Sequence, residues 1–266
     1  MKIRMRKTGD FCWINVLTPQ PARAREFFAE LLRWSYTEMP GVGHTVSVGG
    51  RDIGGFFDLA APGTPMGTPP GVGVVLKVDC TETTRRRVDA LGGASSPTFE
   101  LMGQGRTAVC LDPKGAEFDV WEHRNPQPAP LDGSVHGTPS WFELTTSDCD
   151  RAAAFYSELF GWTPQVRPVP GAQYAVFKHG EVCVAGLLNL RPHMALQRPH
   201  WATFFTVEDV EHTALEALRL GGTLSVPILE LPGVGRFCGI TSPQGLTFYV
   251  ISYAPGAVCA EPEPAG

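Results

Sequence analysis

The sequence predicts an α+β fold with two tandem copies of one domain, each built from two βαβββ units whose strands pair into a concave β-cup. Three observations predict it. The halves of the chain repeat each other, each half alternates strand-like and helix-like patterns, and one helix in each half ends at paired glycines. The 266 residues, of which 43% are hydrophobic and 18% charged, allow two globular domains and exclude a disordered chain.

The repeat is carried by a long match without gaps. Residues 13–34 read WINVLTPQPARAREFFAELLRW, and residues 141–162 read WFELTTSDCDRAAAFYSELFGW. Further matches follow in the same order: Leu91-Gly92-Gly93 with Leu220-Gly221-Gly222, Pro97 with Pro227, Glu100 with Glu230, Gly105-Arg106 with Gly235-Arg236, and Pro113 with Pro243. The copies therefore run over 9–124 (copy 1) and 137–253 (copy 2). A Pro-rich linker at 125–136 joins them, and a tail at 254–266 is expected to be disordered.

Each copy opens with a strand, at 11–17 or 140–146, that leads into an amphipathic helix. Apolar residues in these helices recur at i, i+3, i+4, i+7 and i+8, the spacing of one buried helix face. Ser147 or Asp148 is the predicted N-cap of the helix in copy 2. The apolar stripe contains Ala24, Phe27, Phe28, Leu31 and Leu32 in copy 1 and Ala152, Phe155, Tyr156, Leu159 and Phe160 in copy 2.

The remainder of each copy is predicted as three strands, a second strand and helix, and three closing strands. The second helix ends at the paired glycines, which favour a left-handed C-cap. One βαβββ unit leaves a sheet face uncovered, so two units are expected to pair, with helices outside and a ligand pocket on the inner face. The clearest of these strands are predicted just after Trp162 and at 173–178, 182–189, 73–78, 203–207, 117–121 and 247–251.

Charge and cysteine content limit the possible partners and the compartment. A net charge of -5 and a pI near 5.8 argue against nucleic-acid binding, which needs a dense cationic surface. No apolar run approaches the roughly 20 residues of a membrane span. The seven cysteines contain no CxxC pair, and most are expected to be small buried residues such as Cys110 and Cys238. We expect a cytoplasmic monomer or homodimer that binds a small molecule.

The repeated segments resemble a known superfamily. WFELTTSD at 141–148 followed by FYSELFGW at 155–162, together with DPKGAEF at 112–118 and SPQGLTF at 242–248, is similar to two-domain actinobacterial members of the vicinal oxygen chelate superfamily. This superfamily includes glyoxalases, bleomycin-resistance proteins and extradiol dioxygenases. The resemblance covers nearly the whole chain and implies the fold, but not one reaction, because the fold supports isomerases, dioxygenases, transferases and drug binders.

The resemblance also identifies the positions at which metal-dependent relatives hold a divalent ion. Of the residues there, only Asp119 can bind a metal, and a single carboxylate does not hold one. The sequence therefore predicts no cofactor and disfavours a metal, although a divalent-metal glyoxalase or dioxygenase stays open as an alternative. The positions correspond to Trp13, Gly73 and Asp119 in copy 1 and to Trp141, Ala202 and Tyr249 in copy 2.

The sequence also offers candidates for acid–base chemistry. Strand alternation places Glu143 on the same face as Trp141, where burial would raise its pKa toward neutrality and make it a general acid or base. The alternative is a buried carboxylate paired with an arginine or an amide to hold two units together. Tyr174 and His44 match between the copies, and either could exchange a proton with a bound carbonyl. The alternative is a surface histidine and a core tyrosine whose hydroxyl lies at the rim.

Other residues are expected to bind the ligand rather than react with it. Arg106 and Arg236 could hold a carboxylate or an enolate oxygen, although a structural salt bridge, for Arg106 with Asp112, is the alternative that the repeat favours. Trp201 follows the loop 190–199, which is either a mobile lid or an ordinary exposed loop. The remaining predicted lining residues of the cup are Trp13, Asn15, Trp141, Asp119, Phe177 and Tyr249.

Three functions follow from these candidates. The first is a metal-independent isomerase, cyclase, epimerase or lyase of secondary metabolism, which acts through an enol of an oxygenated aromatic or polyketide-like substrate. The second is a resistance protein that binds an antibiotic or another small molecule by stacking it on the tryptophans. The third is the metal enzyme considered above.

Overall fold

The computed structural model describes most of the chain. It covers residues 6–61, 68–101, 104–124, 133–169, 172–190 and 198–257, with only the backbone described at 172. Residues 125–132 of the predicted linker, 191–197 of the candidate lid loop and 258–266 of the tail lie outside the described residues. No helix within the described ranges has the length and apolar character needed to cross a membrane.

The chain contains four βαβββ units in sequence, two in each copy. Each helix follows the first strand of its unit, as predicted from the apolar stripes of α1 and α3 and from the paired glycines after α2 and α4. The elements of copy 1 are β1 (Phe11–Thr18), α1 (Pro21–Leu32), β2 (Ser35–Met39), β3 (Gly43–Val48), β4 (Arg51–Asp58), β5 (Gly71–Lys77), α2 (Thr81–Ala90), β6 (Ala94–Ser95), β7 (Phe99–Leu101), β8 (Gly105–Leu111) and β9 (Glu117–His123). Those of copy 2 are β10 (Pro139–Thr146), α3 (Cys149–Phe160), β11 (Thr163–Val169), β12 (Ala172–His179), β13 (Val182–Asn189), β14 (His200–Thr206), α4 (Val210–Arg219), β15 (Thr223–Leu231), β16 (Gly235–Thr241) and β17 (Thr247–Tyr253).

The strands of every unit follow one order. The first strand pairs in parallel with the last strand of its unit, and the others add as antiparallel neighbours. The orders are β2-β3-β4-β1, β6-β8-β9-β5 with β7 also on β8, β11-β12-β13-β10 and β15-β16-β17-β14. Among the described residues, β1–β9 belong to one sheet and β10–β17 to another. The predicted α+β fold is confirmed.

Contacts divide the chain into two compact units that each combine parts of both copies. Unit 1 consists of 1–12, 74–130 and 142–202, and it contains α2 and α3 with their strands. Unit 2 consists of 13–73, 131–141 and 203–266, and it contains α1 and α4 with theirs. The domain limits 9–124 and 137–253, which rest on the repeat, stay a prediction.

The core of unit 1 forms around the apolar stripe of α3, all five residues of which are buried as predicted. Asp148 caps the helix by accepting a hydrogen bond from the Arg151 amide, and Gly161 ends it in the left-handed conformation with φ of 72°. Phe118 of β9 packs against Phe155 with 6.2 Å between the ring centroids, so the α2 half of the unit contributes to the same core. Burial of each such phenylalanine stabilises the unit by about 1.5–3 kcal/mol.

A chain of hydrogen bonds crosses this core. The indole Nε1 of Trp201 donates to the Tyr156 hydroxyl at 3.0 Å, and that hydroxyl donates to Oδ2 of Asp112 at 3.4 Å. All three residues are buried, so each bond satisfies a polar group that has no access to water. The network fixes α3 between Trp201 and the turn that precedes β9, all within unit 1.

The core of unit 2 is a second aromatic cluster, formed around α1. Phe28 stacks on Trp34 with 4.7 Å between centroids and contacts Phe56 and Phe248. The Trp34 indole donates to the carbonyl oxygen of Gly137 at 2.8 Å, which satisfies its buried N–H group. All five residues of the predicted α1 stripe are buried.

Candidate functional site

Glu143 and Tyr174 lie on the face of their strands that points away from α3. Glu143 on β10 is opposite Gly186 on β13, and Gly186 is opposite Val176 on β12, so these residues share one face with Tyr174, two residues before Val176. The intervening residues, such as Leu144, belong to the unit 1 core. We call Glu143, Tyr174 and Gly186 the Glu143 corner.

Gly186 allows the two polar side chains of the corner to meet. A Cβ atom at Gly186 would lie 2.5 Å from the Tyr174 hydroxyl and 3.0 Å from Oε2 of Glu143, so any larger residue would force these two side-chain ends to move. The Tyr174 hydroxyl donates a hydrogen bond to the Glu143 carboxylate directly above this glycine. Sequence reasoning did not select Gly186. The signal available is its match with Gly55, since each glycine faces the polar residue of the first strand of its unit.

Burial makes the Glu143 carboxyl group a weaker acid than that of an exposed glutamate. It raises the pKa of Glu143 from 4.5 to about 7, and the hydrogen bond from Tyr174 opposes the rise. The side chain keeps partial access to solvent, so a proton can enter and leave. A carboxyl group with a pKa near the working pH is present in both protonation states and can accept a proton in one step and return it in the next.

The equivalent corner of copy 1 has no ionisable group. Asn15 on β1 is opposite Gly55 on β4, and Gly55 is opposite Thr45 on β3, so Thr45 matches Val176 and Gly43 matches Tyr174. The matching of His44 with Tyr174 is therefore wrong by one residue. A shift of one residue reverses the face of a strand side chain.

His44 accordingly faces α1. Its strand partner is Phe56, which is buried in the unit 2 core, and Nη1 of Arg25 on α1 lies 2.7 Å from the imidazole nitrogens. Burial and the neighbouring guanidinium lower the pKa of His44. The prediction that His44 faces the cup and exchanges a proton with a bound carbonyl is therefore corrected, because its imidazole faces the helix instead.

Several predicted lining residues do lie on strand faces that point away from the helices. In unit 2, Trp13 has its indole nitrogen 3.2 Å from the Cβ position of Gly55, and Tyr249 stacks on Phe204 at 4.6 Å. In unit 1, Asp119 lies between Phe118 and Val120, which both point into the core. Ligand contact by these residues, and by Asn15 and the buried Trp141, stays a prediction.

Two aromatic residues predicted to line the cup belong to the core instead. Phe177 is adjacent in sequence to Val176 and therefore points to the opposite face, where its ring lies 5.3 Å from that of Trp162. Trp201 is buried and bonded to Tyr156, as described above. These two predictions are wrong in position.

The two arginines of the repeat also lie on the helix side of their strands. Arg236 lies two residues before the buried Cys238 and therefore on the same face of the strand. It forms an ion pair with Glu211 of α4, which is the structural alternative considered above. Arg106 lies on the same strand face as the buried Cys110, four residues later, but its own side chain is exposed. The suggested pair of Arg106 with Asp112 does not form, because Oδ1 of Asp112 accepts the amides of residues 114 and 116 in its own turn.

The comparisons with known proteins assign the family. A family model described as Glyoxalase/Bleomycin resistance protein/Dioxygenase superfamily matches residues 138–250. Over 250 residues the chain is 31% identical to the "Putative glyoxylase CFP32" of Mycobacterium bovis, and the aligned region covers 91% of this chain and 94% of that protein. The chain belongs to this superfamily.

Another relative and two solved structures extend the comparison. The anthracycline biosynthesis protein DnrV of Streptomyces peucetius is 30% identical over 263 residues, with 93% of this chain and 94% of that protein covered. The 2,3-dioxygenase LapB of Pseudomonas sp. KL28 has a TM-score of 0.66 at 12% identity and covers 98% of this chain and 96% of its own. The Mn(II)-bound glyoxalase of Novosphingobium aromaticivorans has a TM-score of 0.64 at 13% identity, and the match covers 92% of this chain and 82% of the glyoxalase. The two structures share the fold.

The donor set of this chain does not fit the metal that such relatives bind. At the matching positions only Asp119 carries a metal-binding side chain, while the others are tryptophan, tyrosine, glycine and alanine. Within the described ranges no three His, Cys, Asp or Glu side chains are grouped so that they could hold an ion. We therefore assign no reaction step to a metal.

Proposed function

We propose that this superfamily member is an enzyme in which Glu143 moves a proton at a carbon next to a carbonyl group of an oxygenated, aromatic or polyketide-like substrate. The observation that carries the proposal is the Glu143 corner: a carboxyl group with a pKa of about 7, hydrogen bonded to a tyrosine and partly open to solvent. Isomerisation, epimerisation, cyclisation and lyase reactions can all begin with this proton transfer.

The chemistry follows from the two side chains. The Glu143 carboxylate takes the proton from carbon, and the electron pair of the C–H bond becomes the C=C bond of an enolate. Once Glu143 is protonated, the Tyr174 hydroxyl no longer faces a negative charge and can donate its hydrogen bond to the enolate oxygen. Glu143 then returns the proton to a carbon of the intermediate, so that each cycle conserves protons and electrons.

The substrate class is supported by relatives. DnrV of Streptomyces peucetius is named as an anthracycline biosynthesis protein, and it matches nearly the full length of this chain. Anthracyclines contain fused oxygenated rings and carbonyl groups, some of which have a C–H group on the adjoining carbon. We therefore place the substrate among fused-ring aromatic polyketides and the protein in secondary metabolism.

Hydrogen–deuterium exchange tests the proposal without knowledge of the full reaction. The protein is incubated in D₂O with 1-tetralone or with daunomycinone, and loss of the proton signal beside the carbonyl is followed by NMR. Wild type should accelerate the exchange, with a rate that rises with pH and levels above about pH 7, because the carboxylate is the base. Glu143→Gln should lower the rate at least about 100-fold.

The controls separate catalysis from binding. Glu181→Gln alters an exposed carboxylate in the turn after β12 and should leave the rate unchanged. Tryptophan fluorescence should show that Glu143→Gln still binds daunomycinone within about 3-fold of wild type. Equal exchange rates in Glu143→Gln and wild type would overturn the assignment. Tight binding by wild type with no exchange would instead favour a protein that only sequesters its ligand.

A further inference from the structure

A charged residue that the sequence analysis did not select lies on the same face as the Glu143 corner. Arg167 on the edge strand β11 is the direct antiparallel partner of Tyr174 on β12. Directly opposed residues in antiparallel strands point to one face, with Cβ atoms about 4.5–5.5 Å apart. Arg167, Tyr174 and Glu143 therefore form a row across the sheet that starts at its edge and ends at β10.

One donor of the Arg167 guanidinium has no partner among the described residues. Its Nε atom is buried and has no hydrogen-bond partner in the part of the chain that the structure describes, and the side chain as a whole is only partly exposed. Other arginines in this protein have carboxylate partners, such as Glu208 for Arg33 and Glu82 for Arg85. A buried donor on a charged group is costly to leave unpaired, so a partner from outside the chain would gain from binding there.

Comparison of the two copies links Arg167 to the acid–base pair. In copy 1 the residue opposite Gly43, which matches Tyr174, is Met39. Copy 1 thus has Asn15, Gly43 and Met39 at the positions where copy 2 has Glu143, Tyr174 and Arg167. All three ionisable groups occur in the same copy, which is expected if they act on one ligand.

The spacing indicates what that ligand carries. Neighbouring strands are about 4.8 Å apart, so β11 lies roughly 10 Å from β13, above which Tyr174 and Glu143 meet. An arginine side chain that extends along the sheet brings its charge close enough to the Glu143 corner that roughly the width of one aromatic ring separates them. No ion pair joins Arg167 to Glu143 among the described residues, so the cation and the acid remain available to different parts of a ligand.

We propose that Arg167 anchors a carboxylate or ionised phenol of the substrate and so places the carbon of an adjoining ring at Glu143. The proposal rests on the function proposed above and narrows its substrate to an aromatic anion. A guanidinium can bind a carboxylate through two parallel hydrogen bonds, which also fixes the plane of the bound group.

Two matched ligands test the anchor by binding alone. 2-Naphthoate carries the charge and 2-naphthamide has the same shape without it, and their affinities are measured by tryptophan fluorescence. Wild type should prefer the naphthoate, and Arg167→Gln should weaken naphthoate binding about 10- to 100-fold while naphthamide changes less than about 2-fold. Arg106→Gln removes an exposed arginine from the helix side of unit 1 and should change neither affinity.

Each outcome decides the matter. Equal naphthoate affinity in Arg167→Gln and wild type, or no preference of wild type for naphthoate over naphthamide, overturns the anchor. Arg167→Lys should restore part of the preference, which a purely structural role would not predict. Because the readout is affinity, loss of the preference in Arg167→Gln alongside unchanged deuterium exchange in Glu143→Gln would keep the anchor and reject the proton transfer.

Discussion

Replacement of Glu143 by Gln should stabilise the protein, and only above acidic pH. The folded pKa is about 7 and the ordinary value is 4.5, so the native state holds a proton that the unfolded chain has already lost. The stability that this proton contributes is fully present below about pH 4.5 and is lost as the pH rises through 7. Glutamine fills nearly the same volume and carries no charge, so the variant avoids that loss.

The expected size follows from the two pKa values. Their difference corresponds to about 3 kcal/mol in the free energy of unfolding, and the partial solvent access of Glu143 reduces this to about 2 kcal/mol. Urea unfolding at pH 5, 6, 7 and 8 measures it. The gain of Glu143→Gln over wild type should be small at pH 5 and grow to its full value by pH 8.

A matched variant shows whether the effect comes from the site. Glu181→Gln removes an exposed carboxylate of unit 1, and its stability should run parallel to that of wild type at every pH. A constant difference between Glu143→Gln and wild type from pH 5 to 8 would refute the reasoning, because it would mean that the folded pKa of Glu143 is near its ordinary value.

Two further predictions concern the glycine of the Glu143 corner and the hydrogen-bond network in the core of unit 1. Gly186→Ala should lower the proton-exchange rate at least 10-fold without unfolding the protein, because the new methyl group separates the Tyr174 hydroxyl from Glu143. Gly55→Ala at the matching position should leave the rate unchanged. Circular dichroism would confirm that both variants are folded. Tyr156→Phe should lower the free energy of unfolding by about 1–3 kcal/mol in urea, since two buried hydrogen bonds lose their shared hydroxyl, and an unchanged unfolding midpoint would contradict the network.

The local patterns of the sequence were sufficient for the helices and most strands. The stripes of α1 and α3 follow the helical period, and Asp148 caps α3 as its position predicts, because these features depend on residues close in sequence. Alternation also placed Glu143 on the correct face, and burial raises its pKa as expected. Local period and cap chemistry need no knowledge of the partner strand.

The errors arose where the register between strands decides the result. His44 was matched with Tyr174 by a constant offset, but the insertions in the loops differ by one residue, and that difference reverses the face. Arg167 was not selected because an arginine on a short strand has no signal of its own. Only its opposition to Tyr174 gives it meaning, and this opposition is a property of the pairing.

The mixed composition of the compact units has a consequence for the history of the duplication. The half of unit 1 that carries Glu143 completes its core with Phe118 and its neighbours from the other copy. Copy 1 is therefore needed for this core, although its own corner has no ionisable group. A gene cut at the linker should therefore yield two products that cannot fold separately, and both copies should be retained whichever of them binds the ligand.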